Sequence, residues 1–402
     1  MMKLTREEKL MLDGKFGKSV KKAIEILIAL GKIYNAERMV RIGSAQISGI
    51  SYKNIGDAGI EFLEEFLSDA KVRVKATINP CGMDTEKWKS LKISNKFAEK
   101  QFRIINLFKK IGVGIDCSCT PYLIGNKPGF NEHIAWSESS AIVYANSVLG
   151  ARTNRESGIS ALAAAITGRT PMYGYHLDEN RRANFLINVK CKLESISDFA
   201  ALGYIVGNKI GNNIPYFRGI ERVDGDKLKA LGASMAASGA IALYHIENIT
   251  PEAKIKNMLR SEFREITIES IDDAYIKLNS TRDREIDLVA IGCPHLSINE
   301  IEYIANLLKD KKVVTKLWLM TSRKTMELAM KRNLIERIVR SGAEVISDTC
   351  LLVMPIENLK IKTIATNSGK LSFYLPSYCN IDVRFGSIEK CIRSALTGVW
   401  GD

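Results

Sequence analysis

The chain has 402 residues, 46% of them hydrophobic and 26% charged, with a net charge of +13 and eight cysteines. That length exceeds one simple core and calls for two or three subdomains. No apolar run reaches the ~18 residues that cross a bilayer, the cysteines are too sparse for a secreted disulfide scaffold, and the scattered Lys and Arg carry no RNP, helix-turn-helix or zinc-finger pattern, so neither membrane nor nucleic acid is expected and steering of a small anionic substrate accounts for the charge.

The charged start "MMKLTREEKLMLDG" lacks a signal-peptide core, which points to the cytoplasm. Thr5 and Glu8 form a capping box that opens a helix. Gly14 and Gly17 interrupt it, and Val20, Ala23, Ile24 and Leu27 resume helical spacing. "KVRVKATI" at 71–78 alternates as a strand does, and "NPCGMD" follows as a turn. A helix over 94–111 leads to a strand, "VGIDCSC", at 113–119. "SESSAIVYANSVLG" at 137–150 predicts a helix with Ser137 as its N-cap and Gly150 at its end. "LINVKCKL" at 186–193 predicts a strand. Beyond residue 285, "DLVAIGC", "VVTKLWLM" and "AEVISDTC" alternate with helices over 297–310 and 322–342, the βαβαβ pattern of a parallel sheet. The expected organisation is therefore α/β, with two subdomains in 1–285 and a third in 286–402.

Cys119, Cys293 and Cys350 each fall at the carboxyl end of a predicted strand, where open α/β sheets bind ligands. They are separated by 174 and 57 residues, so only a folded site joins them. Within the C-x-C pair, Cys117 shares the face of Cys119 one step deeper in the sheet. Cys191 and Cys391 read as small core hydrophobes, and Cys81 and Cys379 stay undecided. Three thiolates suit either an iron–sulfur cluster or a Cys3His zinc site with His295 from "GCPH" as the fourth ligand.

Nine motifs in order along almost the whole chain resemble the aconitase X family: "SAQISGISY" at 44–52, "NPCGMD" at 79–84, "CTPY" at 119–122, "HIAWSESSAIVYANSVLGARTNRES" at 133–157, "GRTPMYGYHLDENR" at 168–181, "TPEA" at 250–253, "GCPH" at 292–295, "DTC" at 348–350 and "TNSGK" at 366–370. The resemblance implies a fold like the first three α/β domains of aconitase around a cleft. It implies a separate small subunit that carries a fourth, swivelling domain. It implies that Cys119, Cys293 and Cys350 hold a 4Fe–4S cluster, with 2Fe–2S the lesser alternative. One branch of the family dehydrates (R)-5-phosphomevalonate to trans-anhydromevalonate 5-phosphate in a modified archaeal mevalonate pathway; another dehydrates hydroxyprolines. The first is the expected activity, the second the alternative within the family, and a non-enzymatic Cys3His zinc scaffold the alternative outside it. Gln46 departs from the family pattern, where many relatives carry His, and a neutral amide performs no acid–base chemistry.

Substrate contacts are expected from several motifs. Gly49, Ile50 and Ser51 read either as an anion cradle or as an ordinary turn. Asn79 and Pro80 close a strand. Glu138, Ser139 and Ser140 open a helix whose N-terminus attracts an anion, unless they only cap it. Arg152 and Arg155 fork onto a carboxylate or hold a salt-bridged turn. Ser368, Gly369 and Lys370 offer a cation and donors for phosphate. His176 reads as an acid–base group or as a structural partner of Asp178 or Glu179. No residue has a claim to be the catalytic base, which the resemblance assigns to the small subunit.

Overall fold

The computed structural model describes residues 2–401. Thr5 caps the helix Arg6–Leu12 in a reciprocal capping box with Glu8. The helix Lys18–Ile33 buries Val20, Ala23, Ile24 and Leu27. It packs with Tyr52–Phe66, Asn95–Lys110 and Gly158–Thr167 around a parallel sheet ordered Lys75–Ile78, Ser44–Ile47, Ala135–Trp136. A second parallel sheet runs His245–Ile246, Pro215–Arg218, Ala183–Val189, Leu259–Ile268. Helices Ile196–Ile210 and Gly225–Gly239 pack closely beside it because Gly207 and Gly239 meet backbone to backbone; a Cβ on Gly239 would lie 2.4 Å from the Gly207 carbonyl oxygen.

The third sheet has five parallel strands in the order Glu344–Ser347, Lys316–Thr321, Leu288–Leu296, Thr363–Thr366, Asp382–Phe385. Cores cover both of its faces, which is why its strands read as unbroken apolar runs rather than alternating ones. Ser297 and Glu300 form the capping box of the following helix, Ile298–Leu307. The chain is thus α/β throughout, with mainly parallel sheets in three subdomains.

Four local expectations need correction. Residues 113–119 do not form a regular strand. They contribute one bridge, Gly114 to Thr77, and two hydrogen bonds to the Ala76 and Ile78 carbonyls. The helix predicted at 137–150 starts at Ser139 with Glu138 as its cap, and it widens to a π-helical turn over Ala145–Leu149. Ser137 instead bridges the Gln46 carbonyl at 2.8 Å and the Ser48 N–H at 2.6 Å. The helix predicted at 322–342 divides into Arg323–Lys331 and Leu334–Arg340, because Asn333 takes a left-handed conformation. Cys293 lies inside Leu288–Leu296 rather than at its end. Pairing with the neighbouring strand is regular through Ile291 and resumes at Leu296. Gly292 makes that break possible: its φ is +121°, and a Cβ there would sit 2.2 Å from the Met320 carbonyl oxygen.

Candidate active site

Cys119, Cys293 and Cys350 converge although they come from different parts of the fold. Cys119 is buried in the irregular segment before the short turn Pro121–Leu123. Cys293 and Cys350, the latter just past the strand Glu344–Ser347, keep part of their surface open. Burial pushes all three thiols up, Cys350 to about 12, and each of Cys119 and Cys350 also feels the charges of Glu138 and Cys293. Three groups oppose that trend. The His295 backbone N–H donates to Cys119 Sγ at 3.2 Å, and Lys370 and the Ser368 hydroxyl favour the Cys293 thiolate.

Beside the thiols lies a buried polar relay. Lys370 Nζ donates to Glu138 Oε1 and to Ser139 Oγ, the latter at 3.1 Å. Glu138 Oε2 accepts from Asn79 Nδ2 at 2.7 Å, and Asn79 Oδ1 accepts from Gln46 Nε2 at 3.2 Å. Gln46 Oε1 closes the ring by accepting from the Glu138 N–H at 2.9 Å. Ser140 donates through its hydroxyl to the same carboxylate at 3.2 Å. Burial opposes ionisation of Glu138, but Lys370, Asn79 and Ser140 outweigh it and hold the carboxyl below its ordinary value; Glu138 in turn holds Lys370 protonated. Gln46 performs no titration, yet it orients both Asn79 and Glu138. The signal in the sequence that could have found this role is its place at the carboxyl end of the strand Ser44–Ile47.

The other expected contacts separate into two groups. Gly49 is left-handed, with φ +72° and open space where a Cβ would be, and the Ile50 carbonyl accepts from Gln101 Nε2 at 2.9 Å. Ser51 donates to the Val353 carbonyl at 2.7 Å, so this turn touches the loop just past Cys350. Pro80 is buried between Asn79 and Cys81. Ser368 caps the short helix Gly369–Tyr374, which carries Lys370, and Gly369 lies against Ser234 and Ala200. Arg152 and Arg155, by contrast, join no member of the Glu138 relay. Arg152 donates to Asn131 Oδ1, the His176 carbonyl and Asp178, and the exposed Arg155 donates to the Ala240 carbonyl at 2.6 Å. His176 faces His133 through their Nδ1 atoms at 2.9 Å and lies in the same region as Arg152. Cys117, expected as the inward neighbour of Cys119, is fully buried, and its Sγ donates to the Ile115 carbonyl at 3.4 Å.

The donor set bears on the two metal readings. A zinc site needs a free nitrogen on His295, but Nδ1 meets Ser118 Oγ at 3.2 Å and Nε2 meets the Thr349 carbonyl at 2.9 Å. Among the described residues, no three His, Cys, Asp or Glu side chains close on a single-ion position. Cluster cysteines each ligate their own iron, so they surround a group rather than meet at a point. Three soft thiols that repel one another when ionised, with a lysine and a backbone N–H beside them, suit such a group. Two buried hydroxyls next to the ligands, Tyr122 and Thr349, also lack a protein partner.

Comparison with known proteins places the fold and the family. Residues 1–179, 183–276 and 286–397 match family models described as the first, second and third domains of aconitase X. The chain is 51% identical to the phosphomevalonate dehydratase large subunit of Methanocaldococcus jannaschii, over 98% of this chain and 100% of that protein. It is 32% identical to a cis-3-hydroxy-L-proline dehydratase of Pseudomonas aeruginosa, over 96% of this chain but 69% of that protein. A crystal structure of Thermococcus kodakaraensis aconitase X in its holo form superposes with a TM-score of 0.91 at 45% identity, covering 98% of this chain and 100% of that one.

Proposed function

The chain belongs to the aconitase X family, and from that premise we propose that it is the large subunit of a phosphomevalonate dehydratase. The reaction is the loss of water from (R)-5-phosphomevalonate to give trans-anhydromevalonate 5-phosphate, a step of isoprenoid synthesis. The observation that carries this reading is end-to-end identity of 45–51% with four archaeal large subunits of that name; a fifth, at 32%, is still matched over 98% of its length, whereas the hydroxyproline dehydratases, at 31–32%, are matched over only 69% of theirs.

Cys119, Cys293 and Cys350 would hold an iron–sulfur cluster, 4Fe–4S in our reading. When bound, the cluster supplies a Lewis acid for the departing hydroxyl. The remaining steps rest on the chain's own groups. Lys370 stays charged beside the thiols and offers a fixed cation to the substrate's carboxylate or phosphate. Glu138 holds that ammonium in one orientation, so little reorganisation is needed when an anion arrives. The hydroxyls of Ser139, Ser140 and Ser368, with the backbone at Gly49–Ser51 and Gly369, complete a set of donors that keeps the substrate from rotating, while Asn79–Pro80, whose one N–H is spent on the Ile47 carbonyl, contributes backbone acceptors only. Removal of the weakly acidic C2 proton needs a base. Glu138 is tied to Lys370, Gln46 does not titrate, and both nitrogens of His295 are engaged. We therefore assign the base to the small subunit, a partner implied by the large-subunit names of the relatives. Among the described residues no helix is long and apolar enough to cross a membrane.

The test is anaerobic reconstitution followed by iron, sulfide and turnover measurements, with and without the small subunit. The expected result is cluster uptake by this chain alone, turnover of (R)-5-phosphomevalonate only with the partner, and none of cis-3-hydroxy-L-proline. Turnover of the hydroxyproline, or full activity of the chain alone, overturns the substrate or the base assignment respectively.

A further inference from the structure

We propose that His295 is a positioning residue that sets the place of Cys119 and ties all three subdomains to the cysteine site. The proposal rests on the cluster reading above and goes beyond it, because none of the resemblances assigns His295 that role. Four contacts radiate from this one residue. Its backbone N–H donates to Cys119 Sγ at 3.2 Å. Its ring Nδ1 meets Ser118 Oγ at 3.2 Å, and its ring Nε2 meets the Thr349 carbonyl at 2.9 Å. Its own carbonyl accepts from Lys229 Nζ at 3.2 Å.

The chemistry of the partners fixes the ring. A carbonyl only accepts, so Nε2 carries the proton; Nδ1 is then a bare lone pair that accepts from the Ser118 hydroxyl. With both nitrogens engaged the ring has one orientation, and the backbone N–H aimed at Cys119 has one direction. The contacts also reach a neighbour of every cysteine. Ser118 precedes Cys119, Cys293 lies two residues before His295, and Thr349 precedes Cys350. Ser118 additionally accepts from the Thr120 N–H at 3.1 Å and shares a hydrogen bond with its hydroxyl at 3.0 Å, so both flanks of Cys119 are in the same net. The middle subdomain joins through Lys229 on the helix Gly225–Gly239. That ammonium is buried and is held in turn by Glu300 and Asp226. A hydrogen bond to a ligating sulfur stabilises the thiolate and raises a cluster's reduction potential, and groups in this outer position hold the ligand in place.

The experiment uses the reconstituted enzyme with its small subunit and compares wild type with His295→Ala, His295→Gln and Ser118→Ala. Iron release to a ferrous chelator, the visible and EPR spectra, and the midpoint potential are recorded beside KM and kcat. His295→Ala should release iron about 10–100-fold faster, as loss of outer-position partners does at metal sites, with an altered EPR signal and a more negative potential. His295→Gln, whose amide N–H can reach the Thr349 carbonyl, should recover part of the loss. Ser118→Ala, a small deletion that leaves the histidine in place, should shift release and potential the same way by less. If His295→Ala does not fold, Ser118→Ala decides. Folded variants with wild-type release, spectrum and potential overturn the proposal. A wild-type chain that takes up no iron or sulfide overturns the cluster reading, and this proposal with it.

Discussion

Lys370 and Arg152 are both cations only 9% exposed, and both donate to a carboxylate. Their partners come from different distances along the chain. Arg152 draws Asn131, His176 and Asp178 from within 26 residues of itself. Lys370 meets Glu138 across 232 residues, and that glutamate belongs to a relay that includes Asn79 and Gln46 and lies against the cysteines. Burial alone therefore does not mark a site. In the proposed reading a cation closed off by local partners serves one subdomain, and a cation held by a remote carboxylate beside the thiols is the one offered to a ligand.

The most severe break of this comparison is removal of the thiols. Cys119→Ala, Cys293→Ala or Cys350→Ala should each abolish cluster content and turnover together, read by iron and sulfide analysis and by product formation. Cys191→Ser, at a half-buried position away from the site, should keep both. A variant of Cys119 that keeps its cluster while Cys117→Ala loses it would reverse the choice within the C-x-C pair.

Next in size is the Glu138–Lys370 pair. Deleting one partner leaves a buried charge uncompensated, so Glu138→Gln or Lys370→Met should each cost about 3–5 kcal/mol of stability by urea denaturation. The double variant should regain much of that stability, because neither charge is then stranded. It should not regain turnover, since the cation offered to the substrate is gone. Restored kcat/KM in the double variant would move the pair from the site to the scaffold.

Arg152→Met is the matched control on the other side. Its guanidinium makes charge-assisted hydrogen bonds to the His176 carbonyl and Asn131, and Asp178 is largely exposed, so its ion pair is screened. Loss should cost about 1.5–3 kcal/mol of stability with kcat/KM unchanged in the folded fraction. A tenfold rise in KM without a change in stability would return Arg152 to the substrate.

The contrast also explains which parts of the molecule were legible in the sequence. The last third was readable because its signals are local: each strand is a short apolar run, and Ser297 and Glu300 mark the next helix within four residues. Segment 113–119 misled because apolar alternation reports an extended backbone, whereas a strand also needs a continuous partner, and here only the Ala76 and Ile78 carbonyls supply one. Strand-end logic selected Cys119, Cys293 and Cys350, although Cys119 ends no regular strand and Cys293 lies within one; the family resemblance selected the same three. Nothing local joins Glu138 to Lys370, so Glu138 read as a helix opener and Lys370 as a free cation. Gln46 was set aside because an amide cannot titrate, and its use as a two-sided hydrogen-bond relay appears only once Asn79 and Glu138 are beside it.

The smallest expected effect concerns acid, and it belongs to the Arg152 side. Burial pushes His176 from 6.5 down to about 3, helped by His133, Arg181 and Arg152, and pushes His245 down to about 4. His245 Nε2 donates to the Arg181 carbonyl at 2.8 Å, while His176 Nε2 and His245 Nδ1 are buried without a partner. Both rings are therefore neutral in the fold and have no acceptor for a second proton. In the unfolded chain each takes a proton near its ordinary 6.5. Their contribution is fully present above that pH and is lost as pH falls toward 4 and 3, by at most about 1.4 kcal/mol per pH unit for each histidine. Urea denaturation of wild type and His245→Gln at pH 7, 6 and 5 measures this. Glutamine keeps the donor to the Arg181 carbonyl but binds no proton, so the variant's stability should fall less steeply with acid, by up to one histidine's share. Parallel slopes would mean that His245 is protonated in the fold, and that this half of the molecule tolerates a buried charge which its geometry otherwise excludes.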